Sequence, residues 1–208
     1  MNRISVLLVD DHSLVRKGFR RILEDDPELH VVGEAADGVE AVKLAQELRP
    51  QVIVMDMSMP GLNGMQASIE ILKVLPATAI LMLSMYSEEN YVRNALDAGA
   101  SGYILKDAID IDLATSIKQV AAGQKVIAPG LLSSTAEPDA DAGKLTSRER
   151  QILQLIAEGK SNKEIAALLE LSVNTVSVHR ANLMEALGIH RTAELVLYAV
   201  RKGLVQIP

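Results

Sequence analysis

Cysteine is absent from the 208 residues, and that absence removes disulfides, thiolate metal sites and thiol nucleophiles together. It fits a reducing compartment, so a cytoplasmic location is expected. Long apolar runs are missing too. No stretch approaches the roughly 20 residues that a membrane span needs, although 49% of the chain is hydrophobic. We expect a soluble protein without a membrane partner. The opening MNRISVLLVDD passes from Met1 straight into a strand-like run, so no signal peptide is expected. Basic residues are lacking from 126–143, which hold three acids. Elsewhere the charge is uneven: residues 1–125 carry 12 basic and 18 acidic groups, and residues 144–208 carry 9 basic and 6 acidic. An acidic body with a basic tail points to nucleic acid at one end.

The length suits two compact domains. Over the first 122 residues, short apolar runs alternate with helical patterns, which predicts a parallel sheet covered by helices on both faces. The expected strands are Ser5–Val9, Leu29–Ala35, Val52–Met55, Ala79–Leu83 and Gly102–Leu105. Leu14, Val15, Phe19, Ile22 and Leu23 recur at helical spacing between the first two, as do Val92, Ala95 and Leu96, then Leu113, Ile117 and Val120. The expected fold is a five-stranded doubly wound sheet of flavodoxin-like order 2-1-3-4-5.

Four of these strands are followed by residues with chemistry. Asp10 and Asp11 come after the first, Asp56 after the third, Ser84 after the fourth and Lys106 after the fifth. Those strands are adjacent in the expected order, and open α/β sheets place their ligands at the carboxyl ends of strands. An acidic residue after a strand is more often a helix cap or a turn residue. That explanation covers any one of these positions and poorly covers all five. Three carboxylates within about 4–6 Å would repel by several kcal/mol per pair at an effective dielectric of about 20, so a cation is expected among them. Hard oxygen donors without cysteine point to Mg2+. A divalent ion, an ammonium and a hydroxyl around one carboxylate suit transfer of a phosphoryl group onto that carboxylate.

Asp10-Asp11, the D-x-x-M-P-G run from Asp56 to Gly61, Ser84, and G-Y-x-x-K from Gly102 to Lys106 resemble the receiver domain of two-component response regulators. The resemblance implies that Asp56 is the phospho-acceptor. It implies that Asp11, Asp56 and the Ser58 backbone carbonyl ligate Mg2+, with Asp10 acting through water. Lys106 and Ser84 would hold phosphoryl oxygens, and Tyr103 would be the switch aromatic that swings inward as Ser84 is drawn to the phosphoryl group. Two positions depart from the family: Asp107 replaces the common proline, and Met85 replaces a small residue. Met85 is expected to crowd the path of Tyr103.

Residues 123–143, GQKVIAPGLLSSTAEPDADAG, are rich in Gly, Pro, Ser, Ala and Asp and are expected to be a linker. Its apolar first half is expected to pack on the preceding domain. Residues 144–208 read as four helices. Thr146-x-x-Glu149 and Ser161-x-x-Glu164 are capping boxes, Ser172 and Thr192 are expected caps, and Gly159 and Gly188 are stops. Two helices, about Asn162–Leu169 and Val173–Leu187, are close enough for a helix-turn-helix. On the second, Val176, Leu183 and Leu187 share one face, with Asn174, Ser177, Val178, Ala181 and Asn182 on the other. That outer face suits a major groove and equally an ordinary solvated surface.

L-T-x-R-E-R at Leu145, G-K-S-N-K-E-I-A at Gly159, T-V-x-V-H-R at Thr175 and the L-G-I run before Thr192 are similar to the LuxR-type DNA-binding domain of NarL/FixJ-type response regulators. By that likeness Val173–Leu187 is the recognition helix, Lys163, Thr175 and Thr192 contact phosphates, and Thr192–Lys202 is a dimerisation helix. His179 would pack or cap locally. Ser177 and Ala181 depart from the long polar residues many members carry there, which shifts expected binding toward phosphates and DNA shape. The modest positive charge of the tail predicts moderate salt dependence.

Three functions follow for comparison. The first is a transcription factor phosphorylated on Asp56 by a sensor histidine kinase, which dimerises and binds double-stranded DNA. The second is a Mg2+-dependent phosphatase of haloacid-dehalogenase type, which would want an acid where Ser58 stands. The third is a DNA-binding protein independent of phosphorylation, against which the complete set of Asp10, Asp11, Asp56, Ser84 and Lys106 argues.

Overall fold

The computed structural model describes residues 3–106, 109–128, 131, 145–202 and 204–205, and for 109–112 the backbone only. Asp107 lies outside the described residues, as do 129–130 and 132–143 of the expected linker. The chain separates into two compact units, Met1–Ser133 and Ser134–Pro208.

The first unit is built on six parallel strands: β1 Ile4–Val9, β2 Leu29–Ala35, β3 Val52–Asp56, β4 Ala79–Ser84, β5 Gly102–Leu105 and β6 Val126–Ile127. Their order is β2-β1-β3-β4-β5-β6, the 2-1-3-4-5 arrangement with one further strand at the edge. That short strand lies in the first part of the expected linker, where Val126 and Ile127 pair with Gly102 and Tyr103 of β5. Helices α1 Ser13–Glu24, α2 Gly38–Leu48, α3 Gly64–Val74, α4 Glu89–Asp97 and α5 Ile109–Ala121 connect the strands.

Side chains alternate across each strand, and both faces of the sheet are buried. Val6, Leu8, Val52, Val54, Leu81, Leu83 and Ile104 meet Phe19 and Leu23 of α1 and Leu113, Ile117 and Val120 of α5 in one core. Leu7, Val9, Ile53, Met55, Ile80, Met82 and Tyr103 are buried as well. Polar caps start two of the helices that lead away from the sheet. Asp37 accepts a bond from the Glu40 N–H at α2, and Asn63 accepts one from the Gln66 N–H at α3.

Register sets the level of the strand ends. Val9 is in register with Met55, Met55 with Met82, and Ser84 with Leu105. The residues that leave these strands therefore emerge along one edge.

The second unit holds helices α6 Ser147–Ala157, α7 Asn162–Leu168, α8 Val173–Leu187 and α9 Thr192–Arg201. Both capping boxes form, Thr146 with Glu149 and Ser161 with Glu164, and Ser172 accepts from the Thr175 N–H. Gly188 ends α8 in the left-handed conformation at φ 63°, which glycine adopts without a Cβ penalty. Thr192 is not a cap. It is the first residue of α9, the preceding Arg191 is the N-cap without a side-chain bond, and the Thr192 hydroxyl is taken up by Arg180 of α8. Ile152, Leu153, Ile156, Ile165, Val176, Leu183, Leu195 and Ala199 form the core.

Candidate functional site: an acidic pocket and a helix-turn-helix

Asp10 follows β1 and Asp56 ends the adjacent β3, each one step beyond the paired residues Val9 and Met55, and this brings two carboxylates face to face. Asp10 is 1% and Asp56 3% exposed. Lys106, arriving from the end of β5, places its Nζ 2.7 Å from Asp10 Oδ2 and 2.9 Å from Asp56 Oδ2. One ammonium thus serves two buried carboxylates. Burial raises the Asp56 carboxyl from 3.8 to about 6, with Asp10 adding to the rise and Lys106 opposing it. Burial alone would lower the Lys106 ammonium, but Asp56 and Asp10 outweigh it and the group is raised.

Asp11 completes the acidic set. Ligand atoms of Asp10, Asp11, His12 and Asp56 lie within 4.8 Å of one another. Asp11 Oδ1 is buried without a hydrogen-bond partner. His12 Nδ1 approaches it to 2.7 Å, though not as a hydrogen bond. A buried carboxylate oxygen that accepts no hydrogen bond, beside two further carboxylates, is a donor set that fits a hard divalent cation. Asp10 Oδ1 accepts the His12 N–H at 2.8 Å, and Asp56 Oδ1 accepts the Ser58 N–H at 3.3 Å. These bonds leave carboxylate lone pairs for further ligands.

Ser84 is the last residue of β4 and is buried. Its Oγ accepts the Tyr86 N–H at 3.1 Å and donates to Met57 Sδ at 3.7 Å. Tyr103 already lies inside: it is wholly buried, and its hydroxyl donates to the Tyr86 carbonyl at 2.7 Å. Burial pushes its phenol up to about 12. Met85 does not crowd it, because Met85 is 68% exposed and its bulk is carried toward solvent. Tyr86 itself stacks on Tyr91, with ring centroids 4.4 Å apart.

Three contributors were not singled out by sequence. Arg16 of α1 donates to the Asp10 carbonyl and lies 3.5 Å from Glu34, fixing the loop that carries the acidic pair. Gly64 packs under Asp56 so closely that a Cβ there would sit 2.1 Å from the Asp56 carbonyl oxygen. His12 joins the acidic cluster, and its place directly after Asp10-Asp11 was the available signal.

In the second unit, Asn174, Ser177, Val178, Ala181 and Asn182 are exposed on α8, opposite the buried Val176 and Leu183. Lys163 is exposed in the first turn of α7, Thr192 is exposed at the start of α9, and Thr175 is half-buried. Among these, Ser177 and Thr192 are joined through other side chains. Asn162 donates to Ser177 Oγ at 3.2 Å, and Arg180 bridges Asn162 Oδ1, at 3.1 Å, and Thr192 Oγ1. No helix among the described residues is long and apolar enough to cross a membrane.

Residues 6–118 match the response regulator receiver domain, and residues 143–199 match the luxR family of bacterial regulatory proteins. The oxygen regulatory protein NreC of Staphylococcus carnosus is 40% identical, the alignment covering 97% of this chain and 99% of NreC. A structure of the RcsB response regulator of Salmonella typhimurium is similar at TM-score 0.65 and 26% identity, over 97% of this chain and 99% of that one. RcsB is also described as two dimers bound to two parallel DNAs, similar at TM-score 0.62 and 27% identity over 96% of this chain and 99% of that one.

Proposed function

This chain belongs to the response regulators that join a receiver to a LuxR-type DNA-binding domain, and from that premise we propose that Asp56 is the residue through which it is switched. The family consists of phosphorylation-regulated DNA-binding proteins, not enzymes with a substrate of their own. The observation that carries the assignment is Lys106 Nζ held between Asp56 Oδ2, at 2.9 Å, and Asp10 Oδ2, at 2.7 Å.

A carboxylate oxygen of Asp56 attacks phosphorus, a new O–P bond forms, and the bond from phosphorus to the donor's leaving group breaks. For a partner histidine kinase that is the P–N bond of a phosphohistidine. The Lys106 ammonium turns from the two carboxylates to a phosphoryl oxygen, and the Ser84 hydroxyl donates to another. Asp11, Asp56 and the Ser58 carbonyl would hold Mg2+ directly, and Asp10 would hold it through water. The bound ion supplies positive charge against the transferring phosphoryl oxygens.

The consequence for the rest of the unit is a redistribution of states. Drawing Ser84 toward the phosphoryl group loosens its bond to the Tyr86 N–H, and Tyr86 is the residue whose carbonyl holds Tyr103. The switch therefore runs through the β4–α4 loop. In the active state the chain dimerises and binds double-stranded DNA, with α8 in the major groove and Lys163, Thr175 and Thr192 near phosphates. Description of RcsB as dimers on DNA supports that step. The setting is the cytoplasm.

The test is labelling of the full chain with acetyl phosphate and Mg2+, read by phosphate-affinity electrophoresis. Wild type is expected to shift and Asp56→Ala to remain unshifted. An unlabelled wild type, or an Asp56→Ala protein labelled as fully, refutes the assignment.

A further inference from the structure

Helix α8 advances by about 100° per residue, so Asn174, Val178, Ala181 and Glu185 form one ridge, and all four are exposed. The polar groups beside that ridge are engaged within the protein. Ser177 Oγ donates to the Val173 carbonyl at 3.0 Å and accepts from Asn162 at 3.2 Å. Thr175 Oγ1 shares a 2.7 Å bond with Ser172 Oγ. Arg180 reaches sideways to Asn162 and Thr192. What the middle of α8 presents outward is apolar: Val178, 52% exposed, and Ala181 one turn later.

We propose that α8 selects thymine, with Val178 and Ala181 seated against the C5-methyl groups of the major groove, so that the half-site centres on T·A pairs. The inference rests on the DNA-binding reading above. In the major groove thymine alone offers an apolar group, and hydrogen-bonding edges mark the other bases. A valine and an alanine have nothing to give a guanine, and no long polar side chain stands at 177 or 181 to read one. The two side chains are three residues apart, about 4.5 Å along the helix axis. Base pairs rise by about 3.4 Å, so the pair of methyl contacts falls on neighbouring positions of the site. The flanks agree. Asn174 lies one turn before Val178, Asn182 directly follows Ala181, and a carboxamide pairs bidentately with adenine, the partner of thymine. Glu185 closes the ridge, and its carboxylate opposes the phosphate backbone, which confines base contacts to the N-terminal turns.

The experiment uses the full chain, phosphorylated with acetyl phosphate and Mg2+, to enrich duplexes from a random pool. Thymines of the enriched half-site are then replaced singly by deoxyuridine, which lacks only the methyl. At two neighbouring positions affinity is expected to fall about fourfold each, the worth of burying one apolar carbon. In Val178→Ala, whose fold is unaffected because Val178 is exposed, the fall at one of the two positions disappears. A half-site that binds equally well with deoxyuridine throughout overturns the proposal and leaves DNA binding intact. Deoxyuridine sensitivity that is the same in Val178→Ala at every position overturns it as well. A pool without enrichment overturns both this inference and the DNA-binding reading.

Discussion

Replacing Asp56 by asparagine should make the receiver unit more stable, although it removes the proposed phospho-acceptor. Asp10 and Asp56 are buried and share the one ammonium of the partly buried Lys106, an excess of one negative charge. Asparagine keeps the shape, removes that excess and leaves the Asp10–Lys106 pair neutral. Burial raises the Asp56 carboxyl from 3.8 to about 6, a displacement worth about 3 kcal/mol against the ionised folded state. Relaxation of the pocket reduces what is measured, so a gain of about 1–3 kcal/mol is expected at neutral pH in EDTA. Urea unfolding of the full chain reads it through tyrosine fluorescence, since Tyr86, Tyr91 and Tyr103 lie in the first unit. The sign with pH is definite. Between about 6 and 3.8 the folded protein holds a proton that the unfolded chain has released. The wild-type penalty is therefore full above 6, is relieved as pH falls through 6, and is gone near 3.8. Mg2+ should narrow the gap from the other direction, because on the proposed reading it binds the folded wild type. An Asp56→Asn protein no more stable than wild type in EDTA at neutral pH, or a gap that does not close on acidification, refutes the reasoning.

Gly64→Ala would place a Cβ 2.1 Å from the Asp56 carbonyl oxygen. A loss of about 1–3 kcal/mol is expected, with slower acetyl-phosphate labelling because the backbone of the proposed acceptor is displaced, and thermal melting with phosphate-affinity electrophoresis checks both. Lys106→Ala leaves two buried carboxylates without their shared cation. It should cost about 3 kcal/mol in EDTA, and its melting temperature should rise more on adding Mg2+ than that of wild type. Arg180→Ala cuts the links to Asn162 and Thr192. It should lower the stability of the helical unit by about 1–2 kcal/mol, measured by circular dichroism at its transition.

The receiver pocket could be read from sequence because each of its charged residues follows an apolar run, and the end of a run marks the end of a strand. The sheet order then brought them together, as Val9 in register with Met55 shows. Contacts made by backbone were not legible in the same way. Gly64 matters because of how α3 leaves the sheet under the Asp56 carbonyl, and nothing in N-G-M distinguishes it from an ordinary helix start. The strand Val126–Ile127 is two residues long, too short for an alternating pattern to register. Thr192 has the composition of a cap, but Arg180, twelve residues earlier, takes its hydroxyl, and propensity gives way to a tertiary partner. The partners of the exposed Ser177 hydroxyl were hidden for a similar reason: its own helix and Asn162 hold it. The inward Tyr103 depends on the Tyr86 carbonyl in a loop, where no periodicity gives warning.

The sixth strand changes where the receiver can be cut. Because Val126 and Ile127 complete the ladder on Gly102 and Tyr103, a fragment ended at residue 122 would lose an edge strand and leave the outer backbone groups of β5 without their neighbours. Such a truncate would carry the whole acidic pocket and Lys106 on a frayed sheet, and its Tyr103 would sit in the outermost strand. Preparations meant to report on the isolated receiver should therefore run past Ile127.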